Sequence, residues 1–453
     1  MRLSPLEIKE TLKCEVSGSL PEKELYITND SRKIKRNSLF IAIPGKNTHG
    51  LNFIDEAIQK GAKGILSSEK ITKKKGIWSL SYKNPRLAYG KLANAARKKW
   101  QGKVIGITGS IGKSTIKDLV AAALGEKNEV ASSPHSFNNE IGLPYSILNA
   151  KGNEKYMVLE MGAKNPGDIN YLKQIAEPDC AIYSPICTSH GKYLGGIEGV
   201  IREKGSLVSG WGEEKTVIIS SKNPEHKKIS DLSSGAKIIK WGSKEGIEAK
   251  KISLNDYGMP RFEIIYNEKK YSVSLSLPGI FQVENSLAAI STAISFGVDI
   301  NEAIKRIEKV EPLPHRKQIC HLKEDGVLLD DCYNAGLTST IESIKWASSI
   351  SGKRSKLIIL GDILETGSRE IDIHKKIGKE LKENNYSKVI TIGNLSEYSL
   401  TESTLEGKHY ETVNDFLNEI KKYNFEGKVT LVKGSRVMNL EKAIKEIKEM
   451  SKT

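Results

Sequence analysis

The stretch from Lys103 to Leu124, KVIGITGSIGKSTIKDLVAAAL, limits what this chain can fold into more than any other stretch does. It opens on a short apolar run that is typical of a buried strand. It closes on apolar residues at positions 116, 119, 120, 123 and 124, a spacing that marks one face of a helix. A turn of small residues separates the two. The stretch therefore predicts a strand, a tight loop and a helix, in that order.

This loop has the chemistry of phosphate binding. Gly109 and Gly112 would let backbone N–H groups approach phosphate oxygens, and the helix N-terminus adds partial positive charge. Lys113 would reach the terminal phosphates, and the Ser114 hydroxyl would ligate Mg²⁺. The match to the common pattern is imperfect because Ile107 stands where its first glycine falls, and a simple glycine-rich turn is the alternative. We predict a nucleotide-phosphate loop in a chain that uses ATP or GTP.

The length and the N-terminus bound the class of protein. At 453 residues the chain is too long for one hydrophobic core, so we expect two or three domains. The first residues, MRLSPLEIKE, carry charges where an export signal needs an apolar core, and no window is apolar enough to cross a bilayer. We therefore expect a cytoplasmic protein without membrane insertion.

The five cysteines, at positions 14, 180, 187, 320 and 332, are scattered and lack C-x-x-C spacing. This pattern predicts buried or incidental thiols rather than a disulfide framework or a zinc site. Cys332 lies beside a candidate site, although nothing in the sequence supplies it with a base.

The formal net charge is +15, from 70 Lys and Arg against 55 Asp and Glu, which can indicate a nucleic-acid partner. However, the lysines mostly mix with glutamates at helical spacing, as in KKIGKELKEN, which is typical of a solvated face. The sequence has no RNP-like aromatic motif and no arginine-rich tract. We expect no nucleic-acid partner, and a basic nucleic-acid ATPase remains the weaker alternative.

The order of apolar runs predicts an α/β protein of three domains. A small α/β domain would cover residues 1–97, a central P-loop-type parallel-sheet ATPase domain 98–312, and a Rossmann-like domain 313–453. Four strands of the last domain end on polar residues, at the sheet edge where ligands bind in open parallel sheets. These residues are Asp330, Asp331, Asp362, Asn394 and Lys433.

Three residues of the central domain are candidate catalytic groups. Glu160 follows a buried-strand pattern and would face the phosphate loop, where its carboxylate is a natural Mg²⁺ ligand or else a cap or ion-pair partner. His190 lies in a glycine-rich loop as a metal ligand or a structural histidine. Lys204 falls in a predicted helix, where a lysine is ordinarily solvated.

Two polar loops allow a binding or a structural interpretation. Asn138 and Asn139 offer amide groups in SFNNEIG, but such residues also cap helices and build turns. Asp30, Ser31 and Arg32 lie between two short apolar runs, where a turn and a ligand site are equally good interpretations.

The motifs ITGSIGKST, SFNNEIGLP, LEMGAKNPGDI, LPGIFQVENSLAA, LLDDCYNA, LGDILETG and LVKGSR occur in this order. In these motifs the chain resembles the Mur ligase family along nearly its whole length. It is most similar to the member that adds D-Ala-D-Ala to UDP-N-acetylmuramoyl-tripeptide. The resemblance implies a monomer that uses ATP and one or two Mg²⁺ ions to form an amide through an acyl phosphate.

The resemblance also implies a role for each matching residue. The implied catalytic residues are Lys113, Glu160, His190 and Lys204. The implied metal ligands are Ser114, Glu160, His190 and Lys204, the last as a carbamylated lysine. The implied nucleotide contacts are Gly109, Ser110, Gly112, Lys113, Ser114, Thr115, Asn285, Arg316 and Asp331. The implied substrate contacts are Asp30, Ser31, Arg32, Asn138, Asn139, Tyr333, Asn334 and Lys433, with Ser435 and Arg436 near the last.

Several positions depart from the family pattern. Ile111 stands where the family usually has Asn, Phe281 where it has His, and Gly336 and Leu337 where it has Asn and Pro. Two alternatives stay open, and these departures favour the second. One is a sister ligase, which adds the third peptide residue or extends folylpolyglutamate. The other is a nucleotide-gated binding module that hydrolyses ATP poorly.

Overall fold

The computed structural model describes residues 1–45, 48–71, 76–187, 194–233, 235–350, 352–364 and 369–452. These residues fall into two compact units. The first unit holds the described residues of 1–187, 194–247 and 285–306, and the second holds those of 248–284 and 307–452. Within the described part, no helix has the length and apolar character needed to cross a membrane.

The N-terminal part of the first unit is built on a six-stranded sheet in the order β1-β3-β4-β5-β6-β2. Strands β3 to β6 are parallel, and β1 and β2 pair antiparallel at the two edges. The strands are β1 (Arg2–Leu3), β2 (Glu15–Ser17), β3 (Leu25–Thr28), β4 (Ser38–Ile41), β5 (Ala62–Ser67) and β6 (Trp78–Ser81). The α-helices are α1 (Pro5–Leu12), α2 (Ile54–Gln59) and α3 (Pro85–Lys99).

The second sheet of the first unit is entirely parallel and has the order β12-β11-β10-β7-β9-β8. Its strands are β7 (Lys103–Thr108), β8 (Val130–Ser132), β9 (Tyr156–Glu160), β10 (Cys180–Tyr183), β11 (Thr216–Ser220) and β12 (Lys237–Trp241). Its helices are α4 (Lys113–Leu124), α5 (Gly142–Asn149), α6 (Asp168–Ala176), α7 (Gly196–Gly205) and α8 (Glu225–Leu232). Because β7 lies between β9 and β10, the carboxyl ends of all three strands meet at one edge.

A small antiparallel sheet follows in the second unit, in the order β13-β14-β15. It consists of β13 (Glu248–Leu254), β14 (Pro260–Tyr266) and β15 (Lys269–Ser274). Two helices come next along the chain, α9 (Gln282–Ser295) and α10 (Ile300–Ile307).

The last sheet has the order β16-β17-β21-β18-β19-β20, and only β16 runs antiparallel. Its strands are β16 (Gln318–His321), β17 (Val327–Asp330), β18 (Ser355–Gly361), β19 (Lys388–Ile392), β20 (Gly407–Tyr410) and β21 (Lys428–Lys433). Its helices are α11 (Leu337–Ser349), α12 (Glu370–Glu383), α13 (Glu397–Ser403), α14 (Val413–Glu419) and α15 (Glu441–Met450).

Both faces of this last sheet are buried. Val327 and Leu329 pack into one apolar cluster while Leu328, between them, packs into another. Side chains on a strand alternate between the two faces, so such a continuous apolar run is typical of a sheet covered on both sides. The predicted α/β class with parallel sheets is confirmed. The domain bounds at 97 and 312 stay predictions.

Candidate functional site

The glycine-rich loop between β7 and α4 is held in a backbone shape that requires glycine. Gly109 has φ +142° and Gly112 has φ +83°. A Cβ on Gly109 would lie 2.0 Å from the Ser184 Oγ, at the end of β10, so no larger residue fits there. The predicted loop therefore packs directly against the neighbouring parallel strand.

Polar contacts also tie the loop to the segment after β10. The backbone N–H groups of Ser110 and Ile111 donate to the Pro185 carbonyl over 2.9 and 3.4 Å. The Ser110 hydroxyl donates to the Cys187 carbonyl and accepts from the Cys187 N–H. The backbone amides of Ser110 and Ile111 are thus engaged by the protein itself. Pro185, distant along the chain, carries no sequence signal of this contact.

Lys113 is folded over this loop at the start of α4. Its Nζ donates to the carbonyl oxygens of Gly109 and Ser110 over 3.1 and 3.3 Å. An ammonium group held by weakly accepting carbonyls gains more from an anion, because charge-assisted hydrogen bonds are stronger than those to neutral acceptors. Lys113 is therefore placed to bind a phosphate that enters the loop.

Ser114, Asn138 and Glu160 converge into a buried polar cluster. The Ser114 hydroxyl donates to Glu160 Oε2 and the Asn138 amide donates to Glu160 Oε1, each over 2.7 Å. The Ser136 hydroxyl lies 3.3 Å from that of Ser114. Glu160 is only 2% exposed. A carboxylate and two hydroxyls beside a phosphate loop form the oxygen-rich donor set that Mg²⁺ prefers, so the residues fit that ion.

Lys204 is buried next to this cluster, and its ordinary interpretation as a solvated lysine is wrong. It lies on α7 with 3% of its surface exposed. Burial, and then the positive charge of Lys113, lowers the pKa of Lys204 to about 7. The neighbouring Glu203 carboxylate opposes this shift while accepting from the backbone N–H groups of Gly167 and Ile169. A large share of Lys204 is therefore a neutral amine near neutral pH.

Lys117 is a positioning residue that the sequence reasoning missed. Its Nζ donates to the carbonyls of Ser133 and His135 over 2.7 and 3.1 Å, and it pairs with Asp118 at 3.0 Å. These contacts anchor the loop that carries Asn138. The available signal was its place one turn after Lys113, on the helix side that also carries apolar Val120.

The remaining predicted residues of the first unit differ in position. Asn285 is buried, and its Oδ1 would lie 3.3 Å from a Cβ on Gly112, so this side chain is beside the phosphate loop. Asn139 builds a turn, since its Oδ1 accepts from the N–H groups of residues 141 and 142. Thr115 is half-buried on α4. His190 lies outside the described residues.

Asp30, Ser31 and Arg32 form a capped turn between β3 and β4. The Asp30 carboxylate accepts from the backbone N–H and the guanidinium of Arg32, and this guanidinium holds the Asp30 pKa below its usual range. Ser31 donates to Glu56 over 3.0 Å. The turn interpretation is therefore correct for the backbone, while the exposed Arg32 side chain stays available to a ligand.

In the second unit, Asp331 and Lys433 belong to one buried network. The Lys433 Nζ lies 3.0 Å from Asp331 Oδ2 and donates to the carbonyls of Asp331 and Asn334. The Ser343 hydroxyl donates to Asp331 Oδ2 over 2.6 Å. The other oxygen, Oδ1, accepts from the Lys317 N–H over 3.2 Å. The network fixes the loop after β17 against β21 and α11.

Arg316 and Tyr333 are stacked in the same unit. The Arg316 guanidinium lies 4.1 Å from the centre of the Tyr333 ring, and Arg436 lies 5.8 Å from it. The Tyr333 N–H donates to the His315 carbonyl, which holds the two segments together. Ser435, by contrast, has a structural contact, since its hydroxyl accepts from the Leu364 N–H.

Two of the departures have structural consequences. The Lys317 Nζ lies 4.0 Å from the centre of the Phe281 ring. This amine has no hydrogen-bond partner among the described residues. Burial lowers the pKa of Lys317 to about 8. Gly336 precedes α11, where its N–H donates to the Ser339 hydroxyl, so a family-like asparagine is not needed for this cap.

Three family descriptions match the chain in order. They are "Mur ligase family, catalytic domain" over residues 26–98, "Mur ligase middle domain" over 107–293 and "Mur ligase, glutamate ligase domain" over 315–436. Together with the relative described next, they confirm the resemblance seen in the motifs. The chain belongs to the Mur ligase family.

Among similar proteins is the UDP-N-acetylmuramoyl-tripeptide--D-alanyl-D-alanine ligase of Buchnera aphidicola subsp. Baizongia pistaciae. It is 32% identical over 431 residues, which are 94% of this chain and 93% of the relative. The fold is shared with the solved MurF of Acinetobacter baumannii, with a TM-score of 0.88, 24% identity and 99% of each chain covered. It is also shared with the MurF ligase of Thermotoga maritima in complex with ADP, with a TM-score of 0.80, 24% identity, and 94% and 98% covered.

Proposed function

We propose that this chain is an ATP-dependent ligase that joins D-Ala-D-Ala to UDP-N-acetylmuramoyl-tripeptide in the cytoplasm, for peptidoglycan precursor synthesis. The names of its relatives support the substrates. The observation that carries the reaction type is the cluster of Ser114, Asn138 and Glu160 beside a phosphate loop that holds Lys113. Phosphoryl transfer needs this combination of a cation and an oxygen-rich metal site.

ATP is the proposed cofactor, and its phosphates would enter the loop before α4. The ADP in the Thermotoga maritima relative supports this choice. Lys113 would exchange carbonyl acceptors for phosphate oxygens. The further nucleotide contacts proposed are Gly109, Ser110, Gly112, Ser114, Thr115, Asn285, Arg316 and Asp331.

Mg²⁺ would be held by Ser114, Glu160 and, in the proposal, His190. When bound, it supplies positive charge that stabilises the phosphate oxygens. The Ser114–Glu160 hydrogen bond already places the two oxygens 2.7 Å apart. Asn138 fixes the other oxygen of Glu160, so the carboxylate is oriented before any ion arrives.

Lys204 is the proposed site of a carbamate. The neutral amine nitrogen attacks the carbon of CO₂, an N–C bond forms, and one amine proton passes to solvent. Only the neutral amine has the electron pair for this step, and the Lys204 pKa of about 7 makes that form abundant. Carbonyl-¹³C NMR in ¹³C-bicarbonate would test it, with a carbamate signal expected in the unaltered protein and absent from Lys204→Met.

The reaction proposed has two steps. The terminal carboxylate of the tripeptide attacks the γ-phosphorus of ATP. The bond from this phosphorus to the β-phosphate oxygen breaks, so ADP is released and an acyl phosphate forms. The amine of D-Ala-D-Ala then attacks the acyl carbon, loses a proton and expels inorganic phosphate. Lys113 neutralises charge on the transferring group throughout, which is how most of the rate enhancement arises in phosphoryl transfer.

The proposed substrate contacts follow the family resemblance. They are Asp30, Ser31 and Arg32 for the UDP moiety, and Asn138, Asn139, Tyr333, Asn334 and Lys433 for the peptide substrates. We expect the active protein to be a monomer.

Phosphate release from ATP and Mg²⁺ tests the proposal, with UDP-N-acetylmuramoyl-tripeptide and D-Ala-D-Ala each omitted in turn. We expect release only with all components, a pentapeptide product by mass, and loss of both in Glu160→Gln. Release with a single amino acid in place of the dipeptide would identify a sister ligase. ATP binding without release would indicate the binding module, and a salt-dependent gel shift would indicate a nucleic-acid ATPase.

A further inference from the structure

Three residues that the proposed reaction does not use converge at the end of β17. Asp330 is fully buried, His315 Nδ1 lies 2.9 Å from its Oδ2, and the Cys332 thiol donates to its Oδ1 over 3.2 Å. One ligand atom from each residue lies within 4.8 Å of the other two. Cysteine spacing alone could not reveal this cluster, because its other two members, His315 and Asp330, are not cysteines.

The backbone around this cluster is held rigidly. Gln318 on β16 pairs with Asp330 on β17, and its side chain accepts from the His315 N–H over 3.2 Å. The His315 carbonyl accepts from the Tyr333 N–H over 2.9 Å. These contacts fix the segment before β16 against the segment after β17. Asp330 ends β17, and these hydrogen bonds hold the segments that carry His315 and Cys332 beside it.

We propose that His315, Asp330 and Cys332 form a binding site for one divalent transition-metal ion of the zinc class. An imidazole nitrogen, a carboxylate oxygen and a thiolate sulfur are the ligands that Zn²⁺ and Co²⁺ accept in tetrahedral sites, with water in the fourth position. Mg²⁺ has little affinity for sulfur. On binding, the Cys332 S–H bond breaks, its proton passes to solvent and a metal–sulfur bond forms.

This site differs in kind from the oxygen cluster of Ser114, Asn138 and Glu160 in the first unit. Its neighbours along the chain, Arg316 and Asp331, are proposed nucleotide contacts, so an ion here would stiffen the segments that carry them. The inference does not depend on the proposed function, because binding is measured without substrates.

Co²⁺ titration of the metal-free full-length protein, in excess Mg²⁺, tests the site. We expect a near-ultraviolet thiolate-to-Co²⁺ absorption that saturates at one ion per chain, and Zn²⁺ should displace it. An ion bound only to oxygens gives no such band, so binding at the Mg²⁺ cluster does not interfere. Cys332→Ser should abolish the band, and His315→Gln should weaken binding at least about tenfold.

Cys320→Ser is the matched control, since Cys320 lies on the adjacent strand β16 and is outside the cluster. It should leave the band unchanged. A missing band in the unaltered protein, or a band that survives in Cys332→Ser, would overturn the proposal. If Cys332→Ser fails to fold by circular dichroism, His315→Gln decides the question, because His315 is partly exposed and tolerates the change.

Discussion

Two buried lysines, Lys433 in the second unit and Lys204 in the first, have different surroundings. The Nζ of Lys433 has the Asp331 carboxylate at 3.0 Å and two backbone carbonyls as acceptors. For Lys204, no carboxylate of the described residues lies within 4.0 Å of the Nζ, and burial lowers its pKa to about 7. The paired lysine is a structural tie between segments, whereas burial shifts the other toward its neutral form.

The same contrast extends to the groups around them. The Asp331 carboxylate in the second unit accepts from Ser343, Lys433 and a backbone N–H, so most of its capacity is used within the protein. Lys113 in the first unit rests on carbonyls that an anion can replace. The two sites thus differ in the acceptors and donors that the protein itself supplies to their charged groups.

Removing the Lys113 ammonium group should have the largest effect of the changes proposed, and this effect should be on activity alone. We expect Lys113→Met to lower the rate of substrate-dependent phosphate release by about 10³-fold, because charge on the transferring phosphoryl group loses its stabilisation. The melting temperature should stay unchanged. Lys127→Met, in the exposed turn after α4, is the matched control. A large loss of stability in Lys113→Met would mean that Lys113 also stabilises the fold.

Asp331→Asn should have a large effect on stability. This change leaves the buried Lys433 ammonium without its carboxylate, and we expect the free energy of unfolding of the second unit to fall by about 3–5 kcal/mol. Urea denaturation measures the loss. Asp325→Asn breaks the exposed pair with Arg354 and should cost less than about 1 kcal/mol. A fully stable Asp331→Asn protein with impaired catalysis would assign this network to chemistry instead.

Acid should weaken the first unit through His226. Burial lowers the pKa of this histidine to about 4 from 6.5, and its ring accepts from the Ser220 N–H. Between pH 6.5 and 4 the unfolded chain binds a proton that the folded unit does not. The free energy of unfolding therefore decreases as the pH is lowered over this range, by about 3 kcal/mol in total.

Hydrogen exchange of the β10 and β11 amides would follow this loss. In His226→Gln the dependence over that pH range should disappear, while His321→Gln, at an exposed site of the second unit, should keep it. Equal pH dependence in the unaltered protein and in His226→Gln would mean that another group titrates.

The local parts of the fold could be predicted from the sequence. Apolar runs located β7, β9 and β17, and the small residues after β7 located the phosphate loop. The placement of Glu160 opposite Ser114 also followed, because carboxyl ends of neighbouring parallel strands share an edge. Each of these inferences needs only the pattern within one segment and a rule of sheet geometry.

Contacts between distant segments could not be predicted. The Pro185 carbonyl that engages the loop amides, and the burial of Lys204, depend on how β10 and α7 pack. The polar residue at one strand end has a structural contact. The Asp362 carboxylate accepts from the backbone N–H groups of residues 394 to 396 over 2.8–2.9 Å, so it builds a turn rather than a site.

The smallest effect should come from changing Tyr333. This change tests whether its ring orients a ligand-binding side chain of the second unit. Its ring carries the Arg316 guanidinium at 4.1 Å, a contact worth about 1 kcal/mol. If the ring orients Arg316 toward the nucleotide, Tyr333→Leu should raise the KM for ATP about fivefold with kcat nearly unchanged. Tyr333→Phe keeps the ring and should behave normally. An unchanged KM in Tyr333→Leu would mean that other contacts orient Arg316.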